Sequence, residues 1–278
     1  MMRESWRKQA IADLLNEYHL AGENELEAIL LEHAQVSLQF TLVDKENYKQ
    51  VGSSRIAGCP DLPQSIEWPC TEDGEAYTFL AQINLSELPF LPSDHWPSSG
   101  MLYFFLGMDE PAYDVDHQVI YYNGDLTNLA LTKLPEGVEE VNAVERGFVS
   151  YQIIWQPHLS LPDVGEDLYA LFEEYEDIYT EICGVSDALA GGLQTWAGET
   201  QLDAYLCRNG MSERLFKYQE HTDHHRQAAK SWQMLFSLSS LSDVNMCWWD
   251  AGYLEFLIDI KDLKENRFNN TYLNLATS

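Results

Sequence analysis

Between residues 4 and 33 the apolar positions Ile11, Leu14, Leu15 and Tyr18, then Leu26, Ile29 and Leu30, recur at three- and four-residue spacing. Gly22 separates the two sets, so the pattern predicts two short amphipathic helices. The period then changes. Val36, Leu38, Phe40 and Leu42 alternate with Ser37, Gln39 and Thr41, which predicts a half-buried strand over 36–43.

Gly58, Pro60, Pro63 and Pro69 exclude regular helix between residues 52 and 69 and predict an ordered, turn-rich segment. Further strands are predicted over 77–85, 100–106, 119–122 and 149–155. The run Met101-Leu102-Tyr103-Phe104-Phe105-Leu106 is apolar almost throughout, the pattern of a strand covered on both faces. From Gly147 to Cys207 there is no Lys or Arg, while acids accumulate. Within that stretch Leu168, Leu171, Phe172, Tyr175 and Ile178 keep helical spacing, so the acids form the wet face of an amphipathic helix.

The second half of the chain echoes the first. Gly58-Cys59-Pro60, Phe79 to Leu88 and Gly100 to Leu106 find counterparts in Gly191-Gly192-Leu193, Trp232 to Leu241 and Gly252 to Ile258. The closest matches are Leu85-Ser86-Glu87-Leu88 with Leu238-Ser239-Ser240-Leu241, and Gly-x-Leu-x-Phe in each half. The expected fold is mainly β or α+β. Two N-terminal helices occupy 1–35, a first β-rich half spans 36–160, and an acidic helical segment with a second β-rich half spans 161–278. The two halves are read as an internal duplication within one unit.

Composition narrows the function. The 278 residues are 45% hydrophobic with 12% aromatic, ample for a core, and carry 16 basic against 45 acidic side chains, a formal charge of −29. Such a surface lacks the cations that draw a protein to nucleic acid or an anionic membrane, so neither is expected as a partner, and a basic protein is the natural complement. The five cysteines are odd in number and form no C-x-x-C pair, which argues against a disulfide framework or a zinc ribbon. No apolar leader core follows the N-terminal charges, and no stretch is long enough to span a bilayer. A cytoplasmic location is expected, and the oligomeric state is left open.

The spacings of the common nucleotide-binding and hydrolase motifs are absent, so the reading leans away from an enzyme and implies no cofactor. His221, His224 and His225 would share adjoining faces of a helix and are the best metal candidates, against a simpler role as a solvated helix start capped by Thr222 or Asp223; no metal is expected. Asp114, Asp116 and His117 form a second such group, read as an exposed acidic turn. Trp68, Trp96, Trp248 and Trp249, the last followed by Asp250, sit at segment ends, where an indole can plug the core or present itself to a partner. Gln82 lies in an apolar strand and needs a hydrogen-bond network, and Arg55 precedes the rigid turn, where it can bind an anion or satisfy an internal acceptor.

These same segments carry a family resemblance. Arg55-Ile56-Ala57-Gly58-Cys59-Pro60-Asp61-Leu62-Pro63 with Trp68-Pro69, then Phe79 to Leu85, then Ser99 to Phe105, resemble the YwqG-like family, also called domain of unknown function 1963. Trp248-Trp249-Asp250-Ala251-Gly252-Tyr253-Leu254-Glu255-Phe256 with Asp262-Leu263 and Phe268 is similar to its closing pattern. The resemblance implies a β-rich, duplicated fold in a bacterial cytoplasm and no established activity. Two positions depart from it: Trp249 stands where a glycine-like residue is usual, and Ser237 where a glutamine echoing Gln82 is expected. The expected function is non-enzymatic binding through an acidic surface, with neutralisation of a basic toxin as one form. Arg55, Trp68, Gln82, Trp96, Trp248, Trp249 and Asp250 are the contact candidates. The rival is an enzyme or small-molecule binder with a cleft between the halves, lined by Arg55, Gln82 and a tryptophan.

Overall fold

The computed structural model describes residues 2–110, 112–141, 147–161, 172, 174–184, 186–193 and 199–277. Helices α1 (Met2–Glu17) and α2 (Asn24–His33) form where the three- and four-residue spacing predicts them, burying Ile11, Leu14 and Leu15 with Leu26 and Leu30. The strands are β1 (Gln35–Lys45), β2 (Arg55–Ile56), β3 (Asp61–Pro63), β4 (Thr78–Asn84), β5 (Met101–Leu106), β6 (His117–Tyr122), β7 (Leu129–Leu131), β8 (Tyr151–Ser160), β9 (Ala188–Leu189), β10 (Trp232–Ser239), β11 (Tyr253–Asp259) and β12 (Tyr272–Ala276). Four further helices are α3 (Glu176–Ile182), α4 (Thr200–Arg208), α5 (Asp223–Ala229) and α6 (Ile260–Lys264). Leu168 and Leu171, predicted to lie on an acidic helix, fall outside the described residues, while Ile178 is buried on α3. Among the described residues no helix is long and apolar enough to cross a membrane.

Ten strands make one antiparallel sheet in the order β12-β11-β10-β9-β1-β8-β2-β4-β5-β6. The sheet curls until its edges approach. Ahead of β6, Val115 N–H donates to the Leu273 carbonyl at 3.0 Å, and Leu275 N–H on β12 donates to the Ala112 carbonyl at 3.0 Å, so the chain entering β6 pairs with the opposite edge strand and the sheet becomes a near-barrel. Closure of this kind removes exposed edges.

β5 is buried at all six positions, as its apolar run predicts. Leu102, Phe104 and Leu106 enter the main core, whereas Met101, Tyr103 and Phe105 enter a second cluster with Leu62, Trp68 and Phe79 on the other face. Inside the near-barrel Phe104 packs against Phe236 and Phe256 at centroid distances of 4.6 and 5.1 Å. The interior between the two flanks is thus filled with aromatic side chains at the place where the cleft reading puts a cavity.

The strand order reads alike from both ends. β2, β4, β5 and β6 flank the central β1–β8 pair on one side, and β9, β10, β11 and β12 on the other. A bulge falls between Phe79 and Ala81 of β4 and between Met234 and Phe236 of β10. Ala57-Gly58 after β2 and Ala190-Gly191 after β9 both take positive φ, and a Cβ on either glycine would collide with a serine side chain, Ser150 or Ser37. Register matches Arg55–Gln82 with Ala188–Ser237, so Ser237 does hold the rung of Gln82. The Gly-x-Leu-x-Phe echo fits this register, but Leu85-Ser86 and Leu238-Ser239 do not. Leu85 N–H reaches the Gly100 carbonyl and Ser240 N–H the Gly252 carbonyl, which makes Ser240 the counterpart of Leu85, two residues beyond Leu238.

Candidate functional site

Arg55 and Gln82 stand opposite each other on β2 and β4, both wholly buried. The Arg55 guanidinium donates to Asp61 Oδ2 at 2.5 Å and to the Cys59 carbonyl at 2.9 Å, and its Nε faces Glu46 Oε2 at 3.3 Å. Gln82 Nε2 donates to the Ser53 carbonyl and to Asp61 Oδ2, while its Oε1 accepts from Asp61 N–H at 2.7 Å. Tyr103 Oη closes the knot by donating to the Asp61 carbonyl. The turn-rich segment predicted from its prolines is therefore pinned from within. Both N–H groups of Gln82 and its carbonyl oxygen are engaged within the chain, and Arg55 has two carboxylates of its own.

The tryptophans do not converge. Trp68 donates its indole N–H to the Tyr77 carbonyl and stacks edge-on against Phe105. Trp96 is buried in the main core. Trp248, 1% exposed, donates to the Ser239 carbonyl. Trp249 is different: 48% of it is exposed, in the turn between β10 and β11, with Asp250 exposed beside it. Its φ of 47° lies in the left-handed region, where a glycine is at ease and a bulky residue is strained. That backbone accounts for the glycine-like residue that the family resemblance leads one to expect there.

The histidine cluster opens in three directions. α5 begins at Asp223, so His221 precedes the helix, and Thr222 caps it. His225 N–H donates to Thr222 Oγ1 and His225 Nδ1 accepts from Thr222 N–H. His221 Nε2 meets the Arg214 carbonyl at 2.8 Å, and His224 is exposed. Because a carbonyl only accepts, Nε2 of His221 carries a proton, and in the neutral imidazole Nδ1 keeps its lone pair. That Nδ1 is buried without a hydrogen-bond partner. The metal reading needed one helix through all three residues; among the described residues no group of three such side chains can hold an ion. Asp114, Asp116 and His117 diverge as well, to Arg208, to the Tyr77 hydroxyl, and to Thr271 with the Val115 carbonyl. Burial pushes the His117 imidazole down to about 4.

His221 instead lines a cavity of about 280 Å³ enclosed by α4, the start of α5 and two 3-10 turns over 212–220. α4 forms because Leu202 and Leu206 pack on Ala229 while Ala204 and Cys207 pack towards Trp232 and Tyr272. Its N-cap Glu199 and, in its first turn, Asp203 reach the cavity wall. Glu199 is held by Arg226 at 2.7 Å. Asp203 accepts no hydrogen bond from a described residue, and burial raises its carboxyl to about 6, with His221 pulling it down and Glu199 pushing it up. Tyr113, Phe216 and Tyr218 form the rim. Phe216 is 66% and Tyr218 71% exposed, and Tyr113 meets Phe216 edge-on at 5.4 Å. Sequence reasoning reached only His221 in this cavity. The exposed Phe216-x-Tyr218 pair within a polar stretch was the available signal for the rest.

Each of the seven arginines among the described residues is ion-paired: Arg3 with Asp94, Arg7 with Glu4, Arg55 with Asp61, Arg208 with Asp114, Arg214 with Glu220, Arg226 with Glu199 and Arg267 with Asp262.

A family model described as a domain of unknown function, DUF1963, matches residues 54–276, from the residue before Arg55 to the last residue of β12. The chain belongs to that family. No curated protein matches it.

Proposed function

We propose that this family member, YwqG-like within DUF1963, is a non-enzymatic binding protein that takes up a basic protein through its acidic surface, a toxin being one such partner. The observation that carries the reading is the pairing of every described arginine with a carboxylate in a chain of charge −29, which leaves a surplus of unopposed acids and, among the described residues, no unpaired guanidinium for an anionic ligand. Trp249 supports it. An indole held outward on strained backbone next to Asp250 is the kind of feature that persists for contact rather than for packing. In this reading the matched bulges and left-handed pairs of the two flanks descend from an internal duplication. Cys59, Cys70, Cys207 and Cys247, none of them in a disulfide, fit a reducing cytoplasm.

Affinity capture of the tagged chain from its native cytoplasm at about 50 and 200 mM salt tests the reading, because screening lengths shorten over that range. A stoichiometric basic protein released as salt rises is the expected result. Capture of nothing at either salt, together with a small metabolite co-purifying with the chain, would overturn it.

A further inference from the structure

We infer that the cavity between α4, α5 and the 212–220 turns receives the guanidinium of an arginine side chain from a basic protein, an assignment that rests on the binding reading above and names its anchor.

The groups left unsatisfied at this cavity are acceptors. In the neutral imidazole His221 Nδ1 is buried with a bare lone pair, since Nε2 is committed to the Arg214 carbonyl. The Asp203 carboxyl is half-buried and receives no hydrogen bond from a described residue. The one arginine in the wall, Arg226, is held by Glu199. A ligand that offers several N–H groups satisfies both open acceptors. An anion would face Asp203 with no free cation among the lining residues described, and an apolar ligand would leave both acceptors unpaired.

The rim selects the shape of that donor. Tyr113, Phe216 and Tyr218 present ring faces and edges at the mouth, and a guanidinium combines stacking on such rings with in-plane hydrogen bonds, which a compact ammonium cannot do. A volume of about 280 Å³ accommodates the group and its alkyl stem. Phe216 and Tyr218 are exposed side chains that contribute little to the core, so their exposure is explained when an incoming stem covers them.

The test titrates the full chain with N-acetyl-arginine amide by calorimetry, with N-acetyl-citrulline amide as the uncharged probe of the same length. Saturable one-site binding in the millimolar range is expected, with citrulline weaker by about tenfold or more. Asp203→Asn should weaken the arginine probe by about tenfold, and Phe216→Ala and Tyr218→Ala by several-fold each, with unchanged far-ultraviolet circular dichroism. Equal binding of the two probes, no saturation, or an Asp203→Asn variant that binds as well as the parent overturns the assignment. A basic protein captured equally by the parent and by Asp203→Asn with Tyr218→Ala would sink the cavity while the binding reading stands. Saturable binding of the arginine probe without any protein captured would keep the guanidinium site and sink the binding reading.

Discussion

Phe104 of β5 and Phe236 of β10 meet at 4.6 Å between ring centroids, although five strands separate them in the order of the sheet. The contact therefore runs through the interior of the near-barrel and ties one flank to the other, with Phe256 against both rings. Phe104→Ala or Phe236→Ala should each cost about 3–5 kcal/mol, because the cavity left is walled by strands that cannot collapse. In a double-mutant cycle with leucine the two positions should couple by about 0.5–1.5 kcal/mol. Additive losses in urea unfolding would show that the flanks are held independently.

Arg55 sits between two carboxylates, Asp61 and Glu46, with its side chain fully buried. Removing the cation strands both acids. Arg55→Leu should therefore cost about 3–5 kcal/mol, and Asp61→Asn less, since Glu46 still balances the guanidinium. A buried network is screened little by salt, so both losses should be the same at low and high ionic strength. A loss that shrinks as salt rises would place the pair at the surface.

How far the sequence reaches can be judged from particular residues. The alternation Val36 to Leu42 and the run Met101 to Leu106 were legible because burial on one face or two writes itself directly into the period. β2 and β9 have two residues each and carry no period at all; only their neighbours, the left-handed Ala57-Gly58 and Ala190-Gly191, mark them. The Leu-Ser echo misled by two residues because apolar identity recurs along any strand, whereas the Gly100 and Gly252 carbonyls fix the register. The cavity was illegible for another reason. Tyr113, Asp203, Phe216 and His221 come from separate segments and meet only once residues 112–115 close the sheet against β12, next to the helices after β9. Thr222 caps α5 as the helix-start reading has it, and only the alternative of one helix through all three histidines does not apply, since the helix starts after His221.

Trp249 offers a test that separates function from stability. At φ 47° a non-glycine residue carries a penalty of about 1–2 kcal/mol, and the exposed indole recovers little of it through packing. Trp249→Gly should leave stability unchanged or raise it by about 1 kcal/mol, while weakening capture of a basic partner. Trp248→Ala, which removes a buried indole, should instead cost about 3–5 kcal/mol. A Trp249→Gly chain that unfolds more easily yet binds as before would make the indole a packing element.

Asp203 links the cavity to pH. Its carboxyl is raised to about 6, chiefly by burial, from the ordinary carboxylate range. A raised acid binds more protons in the folded than in the unfolded chain, so its contribution is favourable below the unfolded value and is lost as pH rises towards and through 6. At neutral pH the half-buried carboxylate is therefore a cost, about 1–2 kcal/mol after allowance for solvent screening. The titratable and charged groups around it are Glu199 at the N-cap of its own helix, His221 before α5, which is a charge only when protonated, and Arg226 on α5, which Glu199 already holds. Asp203→Asn should stabilise the chain at pH 7.5 and make little difference near pH 4, while weakening the arginine probe by about tenfold. For the parent chain, the probe should bind more tightly as pH rises from about 5 to 7, because a guanidinium favours the ionised carboxyl and drives off its proton. A group that strains the fold when charged and holds a cation when charged is doing the second at the expense of the first. Thermal unfolding of Asp203→Asn beside the parent at both pH values decides it: a variant less stable at pH 7.5 would mean the carboxylate is already satisfied inside the fold.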